Sequence, residues 1–389
     1  MADIDEIGPF RIEIPQEEVD GLRRRLAETR WPDDGPDVQW SRGVPLSYLK
    51  DLVEYWRTGY DWRVHEAALN ELPQFVTTID GQRIHFAHLR SPRPDALPLI
   101  VNHGYPGSIV EFMKIVGPLV DPGAHGGDPA DAFHLILPSL PGFGFSSPVR
   151  DTGWDTARTA RAMVELMRRL GYERYGAQGG DIGSAVSGML AGFDPQHAIG
   201  VHLNSDPLAA AAVVPLPAAD SPEVADWSDA ERASLEKLRS YPEDGLGYIR
   251  IQATRPQTLA YALTDSPVGQ LAWIVEKFKE WTGAAAALPE EAVDLDQLLT
   301  NVSVYWFTRT GASAAHFIYE ASHSTEWGAR SSAPQGWAVF AADPIVRRLC
   351  NADGAIRHWS EYDQGGHFAA MEAPDELVGD IRSFFRGLR

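Results

Sequence analysis

The sequence has 389 residues, with 34 Lys and Arg against 54 Asp and Glu, a formal charge of −20, and one cysteine. Hydrophobic residues make up 44 % and charged residues 23 %, an ordinary globular composition that excludes a disordered or collagen-like chain. The acidic balance argues against nucleic acid or an anionic membrane as the main partner, and a lone Cys350 excludes an internal disulfide framework and any multi-cysteine metal site.

At about 150 residues per domain, the length corresponds to about 2.6 average domains. Met1 to Pro9 carries Asp3, Asp5 and Glu6 and no basic stretch leading into an apolar one, so no signal peptide is expected. Apolar runs such as Leu208 to Leu216 fall short of the ~18 residues a membrane helix needs. A soluble, cytoplasmic protein is expected.

Residues 1 to 75 are rich in aromatics and punctuated by proline. Gln16 to Thr29 predicts a helix, with Val19, Leu22 and Leu26 on one face, ended by Trp31-Pro32. Leu46 to Asn70 presents Leu49, Leu52, Val53, Trp56 and Tyr60 on another helical face. From residue 75 the pattern changes. Phe75 to Ile79 and Arg83 to Leu89 flank Asp80-Gly81, a hairpin signal. Leu97 to Asn102, Phe133 to Pro138, Arg174 to Gln178 and Ile199 to Asn204 are short and strand-like, with helical stretches at Thr156 to Leu170 and Gly183 to Gly192. Strands alternating with helices predict a parallel α/β sheet. The alternation stops near Ser205, where helices and loops follow; Ala284 to Ala287 reads as a helix edge or loop. It resumes at Trp337 to Phe340, Ile356 to Trp359 and a terminal helix, Asp375 to Leu388. The expected organisation is an N-terminal extension (1–75), a core in two parts (76–204 and 311–389), and a helical cap between them (205–310).

Gln178-Gly179-Gly180-Asp181-Ile182-Gly183-Ser184 falls between a predicted strand and a predicted helix. It has the spacing of a nucleophile elbow, G-x-Nuc-x-G, with aspartate where serine is usual. Small neighbours suit the tight turn. The competing reading is a glycine-rich turn whose Asp caps the next helix. His103-Gly104-Tyr105-Pro106-Gly107 follows the strand Leu97 to Asn102. In α/β hydrolases a loop at this place gives one oxyanion N–H, and the residue after the nucleophile gives the other. Those donors are the backbone N–H groups of Tyr105 and Ile182. Leu140 to Ser146, a Gly/Pro loop, fits the same architecture.

Gly365-Gly366-His367-Phe368 precedes the last helix, where this fold places its base. The acid should lie between nucleophile and base. Asp343, just after the strand Trp337 to Phe340, has that context; Asp353 and Asp363 are rivals. A carboxylate nucleophile points to an alkylating electrophile. Serine attacking an alkyl carbon would give an inert ether, whereas aspartate gives an ester that a histidine-activated water can cleave. Aspartate is also ionised near neutral pH, its ordinary pKa being about 3.9. An epoxide or an alkyl halide is therefore expected. An epoxide oxygen wants phenol donors, a halide wants indole or amide N–H groups. Tyr241, Tyr248, Tyr261, Tyr305 and Tyr319 stand in or beside the insertion, and the residues alone do not choose among them.

The chain resembles the microsomal-type epoxide hydrolases over nearly its whole length. The resemblance rests on Thr29-Arg30-Trp31-Pro32, Tyr55-Trp56 and Tyr60-Asp61-Trp62-Arg63, on Gly179-Gly180-Asp181, and on Gly365 to Ala370. It also covers Gly247 to Pro256, Asp265 to Gly269, Trp273 to Phe278 and Phe317 to Glu320. It implies an α/β-hydrolase fold, Tyr248 and Tyr319 as the epoxide-holding tyrosines, and Asp343 as the acid, where mammalian members usually carry Glu. Tyr105 stands where Trp is common. The family's membrane-bound members carry an N-terminal anchor, and none is expected here. The resemblance implies catalysis without metal or cofactor. A homodimer is a reasonable assembly for an aromatic-rich enzyme of this size. Abundant Ala, Gly, Arg and Asp suggest a high-GC bacterium, where such enzymes serve detoxification or antibiotic pathways, including those of enediynes; an aryl epoxide is one expected substrate. A haloalkane or haloacid dehalogenase with the same Asp-His-Asp set, and a non-catalytic binding relative, are the alternatives.

Overall fold

The computed structural model describes residues 6–33, 39–205, 216–218, 220–283, 285–326, 331–351, 354 and 356–389. Asp3 and Asp5, the run 208–215, Ala284 and the rival acid Asp353 lie outside the described residues.

The chain opens with β1 (Gly8–Phe10), α1 (Gln16–Ala27), α2 (Leu46–Thr58) and α3 (Trp62–Leu69). The stretch expected as one helical face, Leu46 to Asn70, is thus two helices. Gly59 ends the first, and the Asp61 side chain starts the second by accepting the Arg63 N–H at 3.0 Å. β2 (Gln74–Ile79) and β3 (Gln82–Leu89) form the expected hairpin. Asp80 and Gly81 both adopt positive φ, 49° and 74°, which matches the right-handed twist of the flanking strands. Then come β4 (Leu97–Asn102), α4 (Met113–Val120), β5 (Phe133–Pro138), α5 (Thr156–Arg169), β6 (Tyr175–Gly180), α6 (Ile182–Phe193) and β7 (Ala198–Asn204).

The insertion carries α7 (Asp229–Asp244), α8 (Gly247–Gln252), α9 (Pro256–Asp265), α10 (Pro267–Trp281), α11 (Leu295–Thr308) and α12 (Thr310–His323). The boundary expected at residue 310 falls between two of these helices, because only Arg309, in the left-handed conformation, joins α11 to α12. The chain closes with β8 (Gln335–Val339), α13 (Arg347–Cys350), β9 (Ile356–Glu361), α14 (Ala369–Glu372) and α15 (Pro374–Arg386).

Among the described residues one sheet has nine strands in the order β1-β2-β3-β5-β4-β6-β7-β8-β9. The first three pairings, down to β3·β5, are antiparallel; from β5 to β9 every pair is parallel. In such a sheet, ligands sit beyond the carboxyl ends of the strands. Those ends carry Asp181 after β6, Ser205 after β7, Asp343 after β8 and His367 after β9.

The N-terminal helices do more than cover the core. Val19, Leu22 and Leu26 are buried, and so are Trp56 and Tyr60. The Trp56 indole N–H donates to Ser303 Oγ at 3.1 Å, and the Tyr60 hydroxyl meets Thr300 Oγ1 at 2.9 Å. Both partners belong to α11. The N-terminal segment therefore grips the cap.

Candidate active site

Asp181 is the single residue between β6 and α6 and has φ 55°, ψ −128°. A non-glycine residue there is strained and must be held by its surroundings. Its backbone N–H donates to Ser205 O at 2.6 Å. Its neighbours leave no space for side chains: a Cβ on Gly183 would lie 2.0 Å from Asn102 O, and one on Gly104 would lie 2.4 Å from Asp181 Oδ1. The elbow and the His103 loop are thus pressed together, and only glycine fits at the contact. His103 itself is tied into the loop packing. Its Nε2 accepts the Leu140 N–H at 3.2 Å, and burial pushes its pKa down to about 4, so it ties two loops together as a neutral ring.

The Asp181 side chain is 13 % exposed. Oδ1 accepts the Tyr105 N–H at 2.8 Å, and the Ile182 N–H also holds the carboxylate. These are the two backbone donors expected from the motifs. Burial pushes the carboxyl up to about 6, against the opposing pull of those donors. Oδ2 faces His367 Nε2 at 3.7 Å. That exceeds hydrogen-bond range, so the oxygen is not committed to the ring. Burial pushes His367 down to about 3, which keeps the imidazole neutral and able to accept a proton.

His367 Nδ1 meets Ser205 Oγ at 2.7 Å, and Ser205 Oγ donates to Asp343 Oδ1 at 3.1 Å. The expected acid is therefore brought to the expected base through a serine hydroxyl. Asp343 is 7 % exposed, whereas Asp363 is exposed in the loop after β9.

Aromatic rings wall the site. Tyr248 is 8 % exposed and stacks on Tyr105 with centroids 5.9 Å apart. Trp281 lies between Tyr248, at 5.5 Å, and His367, at 4.7 Å. Burial raises the Tyr248 phenol well above its ordinary pKa, and Tyr241 and Asp181 add to this. Tyr241 stands beside it, accepting the Trp281 indole N–H at 3.0 Å. Burial raises the Tyr241 phenol too, and the charges of Glu280 and Asp181 push the same way. Tyr305 is buried and donates to Gly107 O at 3.0 Å, so it braces the oxyanion loop. Tyr261 is 69 % exposed. Tyr319 is half-buried, and its ring stacks on His323 at 4.2 Å; no described contact joins it to Asp181. Its neighbours His316, Phe317 and Glu320 line a separate cleft of 1170 Å³ with Arg25, Trp154 and Trp306, and none of Asp181, His367 and Tyr248 forms its wall. Asp181, His367 and the two backbone donors instead converge in the buried site between β6 and β9.

Among the described residues no group of three or more His, Cys, Asp or Glu side chains could hold a metal ion. No helix among them is long and apolar enough to cross a membrane. Ser205 is the contact that the sequence reading misses, because a serine after a strand carries no signature.

Residues 7–112 match the family model described as the epoxide hydrolase N terminus, and residues 98–241 match that of the alpha/beta hydrolase fold. A Stigmatella aurantiaca protein with a provisional epoxide hydrolase name is 45 % identical over 386 residues, 98 % of this chain and 86 % of that one. Epoxide hydrolase 1 of Sus scrofa is 34 % identical, over 98 % of this chain and 89 % of its own. The solved Aspergillus niger epoxide hydrolase superposes with a TM-score of 0.86 at 32 % identity, covering 99 % of this chain and 97 % of that one.

Proposed function

The chain belongs to the epoxide hydrolases of the α/β-hydrolase fold, and from that membership we propose a two-step reaction through an ester on Asp181. The supporting observation is the carboxylate itself: one oxygen on two backbone N–H groups, the other open toward a neutral His367.

In the first step Asp181 Oδ2 attacks a ring carbon and the C–O bond of the epoxide breaks. The oxygen that leaves takes a proton from a phenol. Tyr248 is the donor its proximity to Asp181 supports; Tyr319 is kept as the second donor on the strength of its motif alone. In the second step His367 Nε2 takes a proton from water, and the resulting hydroxide adds to the Asp181 carboxyl carbon. Oδ1 becomes the oxyanion, held by the Tyr105 and Ile182 N–H groups, each worth about 3 kcal/mol in comparable sites. The bond between that carbon and Oδ2 then breaks, Oδ2 leaves as the second hydroxyl of the diol with the proton from His367, the proton of the new Asp181 carboxyl returns to the phenolate, and one oxygen of Asp181 now derives from water.

Halide release by a dehalogenase would want free indole or amide N–H donors; the Trp281 indole N–H is already given to Tyr241, and Tyr248 brings a phenol to the wall. Tyr105, Tyr248 and Trp281 offer flat apolar faces, which suit an aryl epoxide of the styrene type. Rates on aryl against alkyl epoxides test that preference.

The mechanism is tested by mass spectrometry. His367→Gln should accumulate an adduct on Asp181, and wild type cycled in heavy-oxygen water should carry the label in that side chain. An active enzyme that never labels Asp181 overturns the ester route. Tyr248→Phe should slow ester formation about 10²-fold. Tyr319→Phe should slow it further, with Tyr241→Phe as the comparison; a loss confined to Tyr241→Phe would move the second donor to Tyr241.

A further inference from the structure

The base and the acid of this site are linked by a third side chain. Ser205 follows β7 at φ 43°, a conformation that favours glycine, and its hydroxyl lies between two ionisable groups. It donates to Asp343 Oδ1 at 3.1 Å and meets His367 Nδ1 at 2.7 Å. A hydroxyl has one proton to give. With that proton on the carboxylate, its lone pair must accept from the ring, so the imidazole carries its proton on Nδ1. Nε2 is then free, and Nε2 is the nitrogen that faces Asp181 at 3.7 Å. The same residue accepts the Asp181 N–H through its backbone carbonyl at 2.6 Å. Ser205 thereby touches nucleophile, base and acid. Strain of this kind persists only where the surroundings hold it in place.

We infer that Ser205 is a positioning residue for the second half-reaction: its hydroxyl fixes the His367 tautomer and connects the ring to Asp343. The inference rests on His367 acting as the base for ester hydrolysis. When Nε2 gains the proton from water, the charged ring donates more strongly from Nδ1, and the Ser205 hydroxyl passes that polarisation to the carboxylate. Ester formation does not use His367, so it should not depend on Ser205.

Ser205→Ala and Ser205→Gly both remove the hydroxyl but differ in backbone strain, since glycine accepts positive φ at no cost. The full chain is mixed rapidly with excess styrene oxide, quenched in acid and weighed, and ester formation and decay are followed separately. Both variants should form the ester within about threefold of wild type. Both should hydrolyse it about 10- to 100-fold more slowly, part of the general-base contribution, with the acid limb of the hydrolysis rate displaced along the pH axis. Ester hydrolysis at the wild-type rate in both variants overturns the proposal. So does a loss in ester formation with hydrolysis unchanged, which would report a distorted elbow. If Ser205→Ala does not fold, Ser205→Gly alone decides. His367→Gln, run alongside, separates the two levels. An adduct trapped there with both Ser205 variants at wild-type rates removes only the role of Ser205, whereas no adduct removes the ester reading and this proposal together.

Discussion

Asp181 is costly to the fold in the ionised form that the proposed ester route needs. Burial holds its carboxyl near 6, above its ordinary 3.8. The native state therefore binds this proton more tightly than the unfolded chain. Between about pH 4 and 6 its contribution to stability falls as pH rises, and above 6 the buried charge is a net cost. Asp181→Asn keeps the shape without the charge. At about pH 7.5 it should raise the unfolding free energy by about 1 to 3 kcal/mol in a denaturant titration, with no turnover. A less stable variant would mean that the two N–H donors outweigh burial. The same carboxyl sets a kinetic limb. In the proposed first step attack requires the carboxylate, so ester formation should drop about tenfold per pH unit below 6; a rate flat to about pH 4.5 would contradict this. His367, held near 3, adds no limb there. At this scale the turns that carry Asp181 and His367, the proposed nucleophile and base, are legible in the sequence because their glycines admit no side chain. Ser205 is not. Its partner His367 lies 162 residues away, and only the order of β7, β8 and β9 brings them together.

The element that holds the loop proposed to give an oxyanion donor is α11, a cap helix. Asn301 donates to Pro106 O at 2.7 Å and accepts from Ser108 Oγ at 2.7 Å. Gln297 donates to Val110 O at 2.8 Å, and Tyr305 to Gly107 O at 3.0 Å. Four polar contacts thus run from one face of a helix to the loop whose Tyr105 N–H holds the nucleophile. Asn301 is 2 % exposed, so truncation leaves a buried carbonyl and hydroxyl without it. Asn301→Ala should cost about 2 to 4 kcal/mol of stability and slow ester hydrolysis more than substrate binding, because the oxyanion donor is loosened. Thermal denaturation and single-turnover rates check both. A destabilised variant with full hydrolytic rate would show that the loop holds its own shape. The sequence marks the insertion only as helices and loops, and so predicts neither α11 itself nor the face it presents. The same limit explains the break at Gly59: apolar spacing continues through it, and only the Asp61 cap and the Tyr60 contact with α11 show that the chain turns there.

Across the whole molecule, the alternation of strands and helices makes the divided core legible in the sequence, since each element records its own burial. The grip of the N-terminal segment on the cap is not, because it joins surfaces about 240 residues apart. The structure connects them in series: Trp56 and Tyr60 hold α11, α11 holds residues 106–110, and that loop holds Asp181. Trp56 tests the series. It is 2 % exposed, and its indole N–H reaches Ser303 at 3.1 Å. Trp56→Phe keeps most of the packing and should cost about 1 kcal/mol for the lost hydrogen bond. Trp56→Ala opens a cavity and should cost about 3 to 5 kcal/mol. If the segment acts through the cap, Trp56→Ala should also lower the ester hydrolysis rate well below the melting transition, in step with Asn301→Ala. The double variant should then lose less rate than the two single losses multiplied, since both act on one loop. Fully multiplicative losses would mean that the N-terminal segment and α11 reach the nucleophile by independent routes.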